Sequence, residues 1–197
     1  METIRPINLA TDIDVVANLI YDTDEYLFPF IFGPRWYGLP VLKRLIVLEN
    51  NSFSHRYIQC IANGGEVQAI LIGYDHRTIN EAAEDADYKI ALSAFDRLLL
   101  IPKFWILQPI LGKDEVTGMY VQNLCVAAAH RGKGLGAQLI RHFCEMHPVD
   151  VWLDVELSNA AALRFYERLG FRVVSRKDVF IRGLGNYRLV RTPAPFG

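Results

Sequence analysis

Met119-Tyr120-Val121-Gln122-Asn123-Leu124-Cys125-Val126-Ala127 leads through Ala128-Ala129-His130 into Arg131-Gly132-Lys133-Gly134-Leu135-Gly136, and from there into Ala137-Gln138-Leu139-Ile140-Arg141-His142-Phe143. The first run is β-prone. In the last, Leu135, Leu139, Ile140 and Phe143 recur on one helical face. The spacing therefore predicts a strand over Met119 to Ala127 and a helix over Gly134 to His147. Between them, glycines at alternate positions suit a diphosphate. They let the backbone approach an anion closely, while the unpaired amides and positive dipole end of the helix supply donors and field. Arg131 and Lys133 add positive charge at the rim. A Walker loop is excluded, because no glycine is separated by four residues from a following Gly-Lys pair, and the strict GxGxxG fingerprint fails at Ala137. The looser fingerprint ending in alanine (Gly132, Gly134, Ala137, with Asp154 as ribose partner) stays open on this loop alone. So does a glycine-rich connection without a ligand.

A second stretch lies downstream, where Leu153-Asp154-Val155-Glu156-Leu157-Ser158-Asn159-Ala160-Ala161-Ala162 runs into Leu163-Arg164-Phe165-Tyr166-Glu167-Arg168-Leu169-Gly170-Phe171. Here the chain resembles the GNAT superfamily of acyl-CoA-dependent N-acetyltransferases. The family's motif A (Q/R, two residues, G, one residue, G/A) matches Arg131, Gly134 and Gly136. Its motif B, N-x-x-A-x-x-x-Y-x-x-x-G-F, matches Asn159, Ala162, Tyr166, Gly170 and Phe171. The close match covers about Met119 to Val174, and the first half agrees only in its order of elements.

The resemblance implies an α/β GNAT-like fold, a mixed sheet whose fourth and fifth strands (Met119 to Ala127 and Val149 to Glu156) splay apart to admit CoA. It places the pyrophosphate on the amides of Arg131, Gly132, Lys133, Gly134, Leu135 and Gly136. The pantetheine arm lies along Leu124, Cys125 and Val126, with Asn159 contacting that arm or the phosphates. A backbone N–H near Leu124 to Val126 stabilises the oxyanion as a neutral amine attacks, and Tyr166 protonates the leaving thiolate. The packing role at this point of the helix falls to Phe165. The fourth strand offers Tyr120, Gln122 and Asn123 where some members place a carboxylate, which leaves Asp22, Asp24, Glu25 and Glu156 as candidates for proton removal. The three acids after the first helix would also suit a cationic acceptor.

Outward from these motifs, Tyr57 to Ala62 and Glu66 to Tyr74, joined by Asn63-Gly64-Gly65, read as a hairpin. Thr11 and Asp14 resemble a capping box for a helix ending near Tyr21, preceded by an edge strand over Glu2 to Ile7. Leu27 to Tyr37 reads as irregular and Leu39 to Leu48 as a helix after a break at Gly38. His76 to Glu115 reads as a helical insertion between strands 3 and 4. Asn159 to Arg168 is a helix, Phe171 to Phe180 and Tyr187 to Thr192 are closing strands, and Pro193 to Gly197 is a loose tail. With 51% hydrophobic residues the chain can bury a core, and its 197 residues suit one domain, 1–197. A net charge of -1 argues against nucleic acid as a partner. Cys60, Cys125 and Cys144 read as buried reduced thiols, the histidines have no metal-ligand spacing, and no signal or spanning segment is evident. The expectation is a metal-free cytoplasmic enzyme, not bound to a membrane, that uses acetyl-CoA to acetylate a small-molecule or peptide amine. A non-catalytic acyl-CoA sensor and a nucleotide-dependent oxidoreductase are its alternatives. Tyr26 to Tyr37 and Phe104 to Ile110 suit either a homodimer surface or the core.

Overall fold

Gly64 and Gly65 both take positive φ (57° and 92°), the backbone a tight hairpin needs and glycine adopts without strain. They join β2 (Ile58–Asn63) to β3 (Glu66–Asp75), the centre of a seven-stranded sheet of order β1-β2-β3-β4-β5-β7-β6. In the computed structural model, which describes residues 2–24, 26–111, 117–178 and 185–193, β1 is Glu2–Pro6, β4 Met119–Val126, β5 Val151–Glu156, β6 Arg172–Asp178 and β7 Gly185–Arg191. Every neighbouring pair is antiparallel except β4 and β5. Val179 and Phe180 of the expected closing strand and the last four residues of the expected tail lie outside the described residues.

The two faces of the sheet carry separate cores. On one, α1 (Ile13–Tyr21), α2 (Leu27–Phe32) and α3 (Arg35–Val47) bury Val16, Ile20, Leu42 and Ile46 against Ile70 and Ile72 of β3. On the other, α6 (Leu135–Met146) sets Leu139, Ile140 and Phe143 against Leu71, Leu153 and Leu189, and α7 (Ala160–Arg168) packs beside it. Covered on both sides, β3 is apolar at nearly every position rather than alternating. Between β3 and β4 stand α4 (Glu81–Ala91) and α5 (Ala94–Leu111). Asp87 of α4, almost fully buried, accepts hydrogen bonds from Asn50 N and Asn51 Nδ2 and so ties α4 to the loop after α3.

Three local expectations are corrected. The Thr11–Asp14 capping box does not form. Asp12 is the N-cap residue and makes no side-chain cap bond, because its carboxylate instead takes Arg5 Nη1 at 2.6 Å, Asn8 N at 2.8 Å and the Thr11 hydroxyl at 2.8 Å. Burial alone would raise the Asp12 carboxyl, but the bonds from Arg5, Asn8 and Thr11 outweigh it and hold the group below its ordinary value. The aromatic stretch is not irregular, since Leu27–Phe32 is helical. Pro29 sits in its first turn, where a missing N–H breaks no bond, and Asp24 Oδ1 accepts from Tyr26 N and Leu27 N. Nor does Gly38 break a helix; it lies inside α3. A Cβ there would stand 2.9 Å from Tyr21 Cε2 and 3.2 Å from Phe32 Cβ, so the glycine serves the close approach of α1, α2 and α3.

Candidate active site

β4 and β5 pair only from Met119↔Val151 to Val121↔Leu153, and beyond that point no pairing joins them. The cause lies in β4. Its register against β3 shifts between Gly73↔Val121 and Ile72↔Asn123, leaving Gln122 as an extra residue. Before this bulge, Val121 belongs to the α6-side core. After it, Cys125 faces the α1-side core while Leu124 and Val126 face α6. Asn123 stands opposite Ile72 and Gln122 Oε1 accepts from the Tyr74 hydroxyl at 2.7 Å, so two successive residues turn toward the α1 face. Ala127 N donates to Gln68 O of β3 at 2.8 Å. By alternation the backbone groups of Cys125 also point at β3, and those of Leu124 and Val126 point into the opening.

The glycine loop closes the α6 side of this opening. Gly132 (φ 77°) and Gly134 (φ 83°) are left-handed, and a Cβ at either would meet nothing within 4 Å. The backbone amides of 132–137 have no acceptor among the described residues, the first intrahelical bond being Gln138 N to Gly134 O at 3.0 Å. Six unpaired donors at the N-terminus of a 12-residue helix make an anion cradle. A diphosphate fits it by the chemistry of the donors and by the open space around both glycines. Gly136 differs, for it is helical, and a Cβ there would touch Phe165 Cζ at 3.5 Å, Val126 Cγ2 at 3.5 Å and Leu124 Cδ2 at 3.6 Å. Those are ordinary van der Waals contacts where β4, α6 and α7 meet, so neither space nor an unusual φ requires a glycine there. At the rim Arg131 Nε donates to Val126 O at 3.2 Å, while Lys133 Nζ lies 3.3 Å from His130 Nδ1.

Asn159 caps α7 by accepting from Ala162 N at 2.9 Å, which commits its Oδ1 and leaves its amide N–H groups for a ligand. Two turns on, Tyr166 packs on the α6-side core, edge-on to Phe171 at 5.6 Å, while Phe165 leans over Gly136. The packing role expected of Phe165 is thus shared by Tyr166. The Tyr166 hydroxyl has no partner among the described residues, and burial pushes it above the ordinary phenol value, so it carries its proton at neutral pH. Cys125 is a free, buried thiol also pushed up by burial, a state that suits packing better than nucleophilic attack.

On the α1 face the expected acids are spoken for. Asp22 pairs with Arg35 and Asp24 caps α2, while Glu25 lies outside the described residues. Ser158 Oγ donates to Glu156 Oε1 at 2.7 Å. A network absent from the sequence reading joins three strands. Arg188 of β7 holds both oxygens of Asp154 of β5 (2.9 and 2.8 Å), and the Tyr120 hydroxyl of β4 donates to Asp154 Oδ2 at 3.1 Å. Those bonds also disqualify Asp154 as a ribose acid. The only signal for this network in the sequence was alternation along β5, which sends Asp154 to the face opposite Leu153. A cavity of about 340 Å³ opens where the end of β4 meets the loop after α1, lined among others by Tyr21, Asp22, Arg35, Cys125, Ala128 and Arg131. Among the described residues no helix is long and apolar enough to cross a membrane, and no cluster of His, Cys, Asp or Glu could hold a metal.

A splayed parallel pair flanked by an amide cradle and a capped helix makes a cleft that suits an extended, anion-bearing ligand. A model of the acetyltransferase (GNAT) domain matches residues 101–173. An N-acetyltransferase from Staphylococcus aureus Mu50 superposes with a TM-score of 0.74 at 19% identity, covering 95% of this chain and 99% of that one. Residues 101–173 thus resemble the acetyltransferase (GNAT) domain, and the chain shares the fold of that N-acetyltransferase. In sequence it is 42% identical over 71 residues to a mycothiol acetyltransferase of Corynebacterium efficiens (34% of this chain, 23% of that protein). It is 37% identical over 86 residues to a [ribosomal protein bS18]-alanine N-acetyltransferase of Salmonella typhimurium (42% of this chain, 53% of that one). The matched part thus spans about a quarter to a half of those relatives.

Proposed function

We propose that residues 1–197 form a single N-acetyltransferase domain that moves an acetyl group from acetyl-CoA to a primary amine of a small molecule or peptide. The observation that carries this reading is the row of unpaired amides over 132–137 beside the unpaired edge of β4. In it the loop amides and Arg131 hold the diphosphate, and the backbone groups of Leu124 and Val126 hold the pantetheine arm as an added strand would. Acetyl-CoA supplies the activated thioester carbonyl. An N–H of this edge stabilises the oxyanion, and Tyr166 holds a proton at Oη and passes it to the departing sulfur. Burial that raises the phenol also disfavours a bare thiolate in the same cleft, so the transfer exchanges one buried anion for another. Asp24 and Asp154 are committed to other partners, and Asp22 is paired with Arg35 before the cofactor enters, so the acceptor attacks as a neutral amine; the proton it sheds as the C–N bond forms goes to solvent, which also restores the Tyr166 proton. Free buried thiols at Cys60, Cys125 and Cys144 fit a reducing cytoplasm.

Release of free thiol from acetyl-CoA across a panel of amines, amino acids, polyamines and peptides tests the reading. Thermal unfolding adds a second measurement, since acetyl-CoA should raise Tm by binding only the folded state, and NAD and ATP should do so much less. One observation favours the rival acyl-CoA sensor, namely that the β4 bulge presents the amides Gln122 and Asn123 to the acceptor face rather than a carboxylate. A Tm shift with acetyl-CoA but no thiol release with any amine would select it.

A further inference from the structure

The cavity at the end of β4 has two walls from distant parts of the chain. Arg131 belongs to the glycine loop, but Asp22 and Arg35 come from the end of α1 and the start of α3. Arg35 is held by three groups: Asp22, with which it pairs through both guanidinium nitrogens, Asn18 Oδ1, 2.5 Å from Nη2, and the Tyr21 ring, whose centroid lies 5.4 Å from Cζ. Both members of the ion pair remain 46% exposed. Across the cavity, Arg131 spends only Nε on Val126 O and keeps its terminal nitrogens without a partner among the described residues. The space thus faces two guanidinium groups and one carboxylate, at the mouth of a loop whose amides over 132–137 have no acceptor among the described residues. Its net field attracts an anion.

Resting on the CoA reading above, we propose that Arg35 is a second cationic clamp for the phosphate groups of CoA and that Asp22 holds it in reserve. An exposed ion pair is weak, because water screens it and two side chains must be held still, whereas a phosphate offers a guanidinium charge-assisted and bidentate bonds. Arg35 therefore exchanges Asp22 for phosphate when the cofactor enters, and Asp22 competes with the cofactor for it. Opposite effects at the two partners follow. If the pair only staples α1 to α3, removing either member has the same effect.

Binding of CoA and of pantetheine, which lacks the phosphates, is measured by calorimetry on the wild-type chain and on Arg35→Gln, Arg35→Lys and Asp22→Asn. Arg35→Gln should weaken CoA by roughly tenfold and Arg35→Lys by less, while Asp22→Asn should tighten it about twofold to fivefold, all with pantetheine unchanged. The CoA effect should shrink as salt rises. Unliganded Tm of each variant separates a lost clamp from a lost staple. Equal weakening by Arg35→Gln and Asp22→Asn, or a parallel loss for pantetheine, overturns the assignment. Failure of the wild-type chain to bind CoA would instead remove the acetyl-transfer reading, and this inference with it.

Discussion

The two faces of the sheet differ in how they are made. The α6–α7 face draws its site from one continuous run, Leu124 to Phe171, in which strand, glycine loop, helix, strand and capped helix follow without interruption. The α1–α3 face assembles its polar groups from far apart: Asp22 after α1, Arg35 on α3, Gln122 and Asn123 on β4, Asp154 on β5 and Arg188 on β7. A local run can be recognised as a pattern, because secondary-structure periodicity places its groups. A dispersed set exists only once the sheet has formed. The same contrast separates the proposed tasks: in the acetyl-transfer reading the local face supplies backbone donors for the cofactor, and the dispersed face supplies the side chains that an acceptor would meet.

The largest expected effect tests the local face at its chemistry. Tyr166→Phe keeps the ring against Phe171 and removes only the hydroxyl, so fold and CoA affinity should survive. If the proton goes to the thiolate, kcat should fall by roughly 10²-fold, about 2.7 kcal/mol in the barrier. A loss in the transition state lowers kcat and kcat/KM together. Wild-type kcat in a chemistry-limited assay would reduce Tyr166 to a packing residue and leave solvent as the proton donor.

The next effect belongs to the other face and is one of stability alone. Asp12→Asn leaves Arg5 facing a neutral amide beneath α1. Because Arg5 is partly exposed, the expected cost is about 2 kcal/mol, below that of a fully buried pair. The sign in pH follows from the lowered carboxyl. Its contribution is present above the unfolded-state carboxylate pKa and disappears as pH falls through the lower folded-state value. The Tm gap between wild type and variant should therefore close on acidification, and a gap constant from neutral to strongly acid pH would refute the charge argument.

The smallest effect sharpens the local face by setting two of its glycines against each other. Gly134→Val forces a branched residue into a left-handed backbone and crowds the open cradle, and should weaken CoA about tenfold, or about 1.4 kcal/mol. Gly136→Ala should cost less, since its Cβ makes ordinary contacts with Phe165, Val126 and Leu124. If the alanine variant proves the more damaging in CoA titrations, ligand clearance at Gly136 rather than loop conformation governs the cradle.

What could be read ahead of the structure follows the same divide. The hairpin at Gly64-Gly65, the β4–loop–α6 unit and the helix that follows Asn159 were legible because each depends on residues within a few positions of one another. The helix at Leu27–Phe32 was not. Its aromatic side chains are stabilised by packing of Phe28 and Phe32 on Phe53, a contact that no local periodicity announces. Gly38 was misread for the same reason, its purpose being the nearness of Tyr21 and Phe32. The sequence by itself determined that a glycine loop precedes α6 and that Tyr166 lies on the helix after β5, because loop, helix and strand are local consequences of residue type. Only the tertiary structure decided that a one-residue bulge at Gln122 opens β4 from β5, that Asp154 is bound by Arg188 and Tyr120, and that Arg35 faces Arg131 across a cavity. Those depend on register between strands and on helix packing, which side chains far apart in the chain settle jointly.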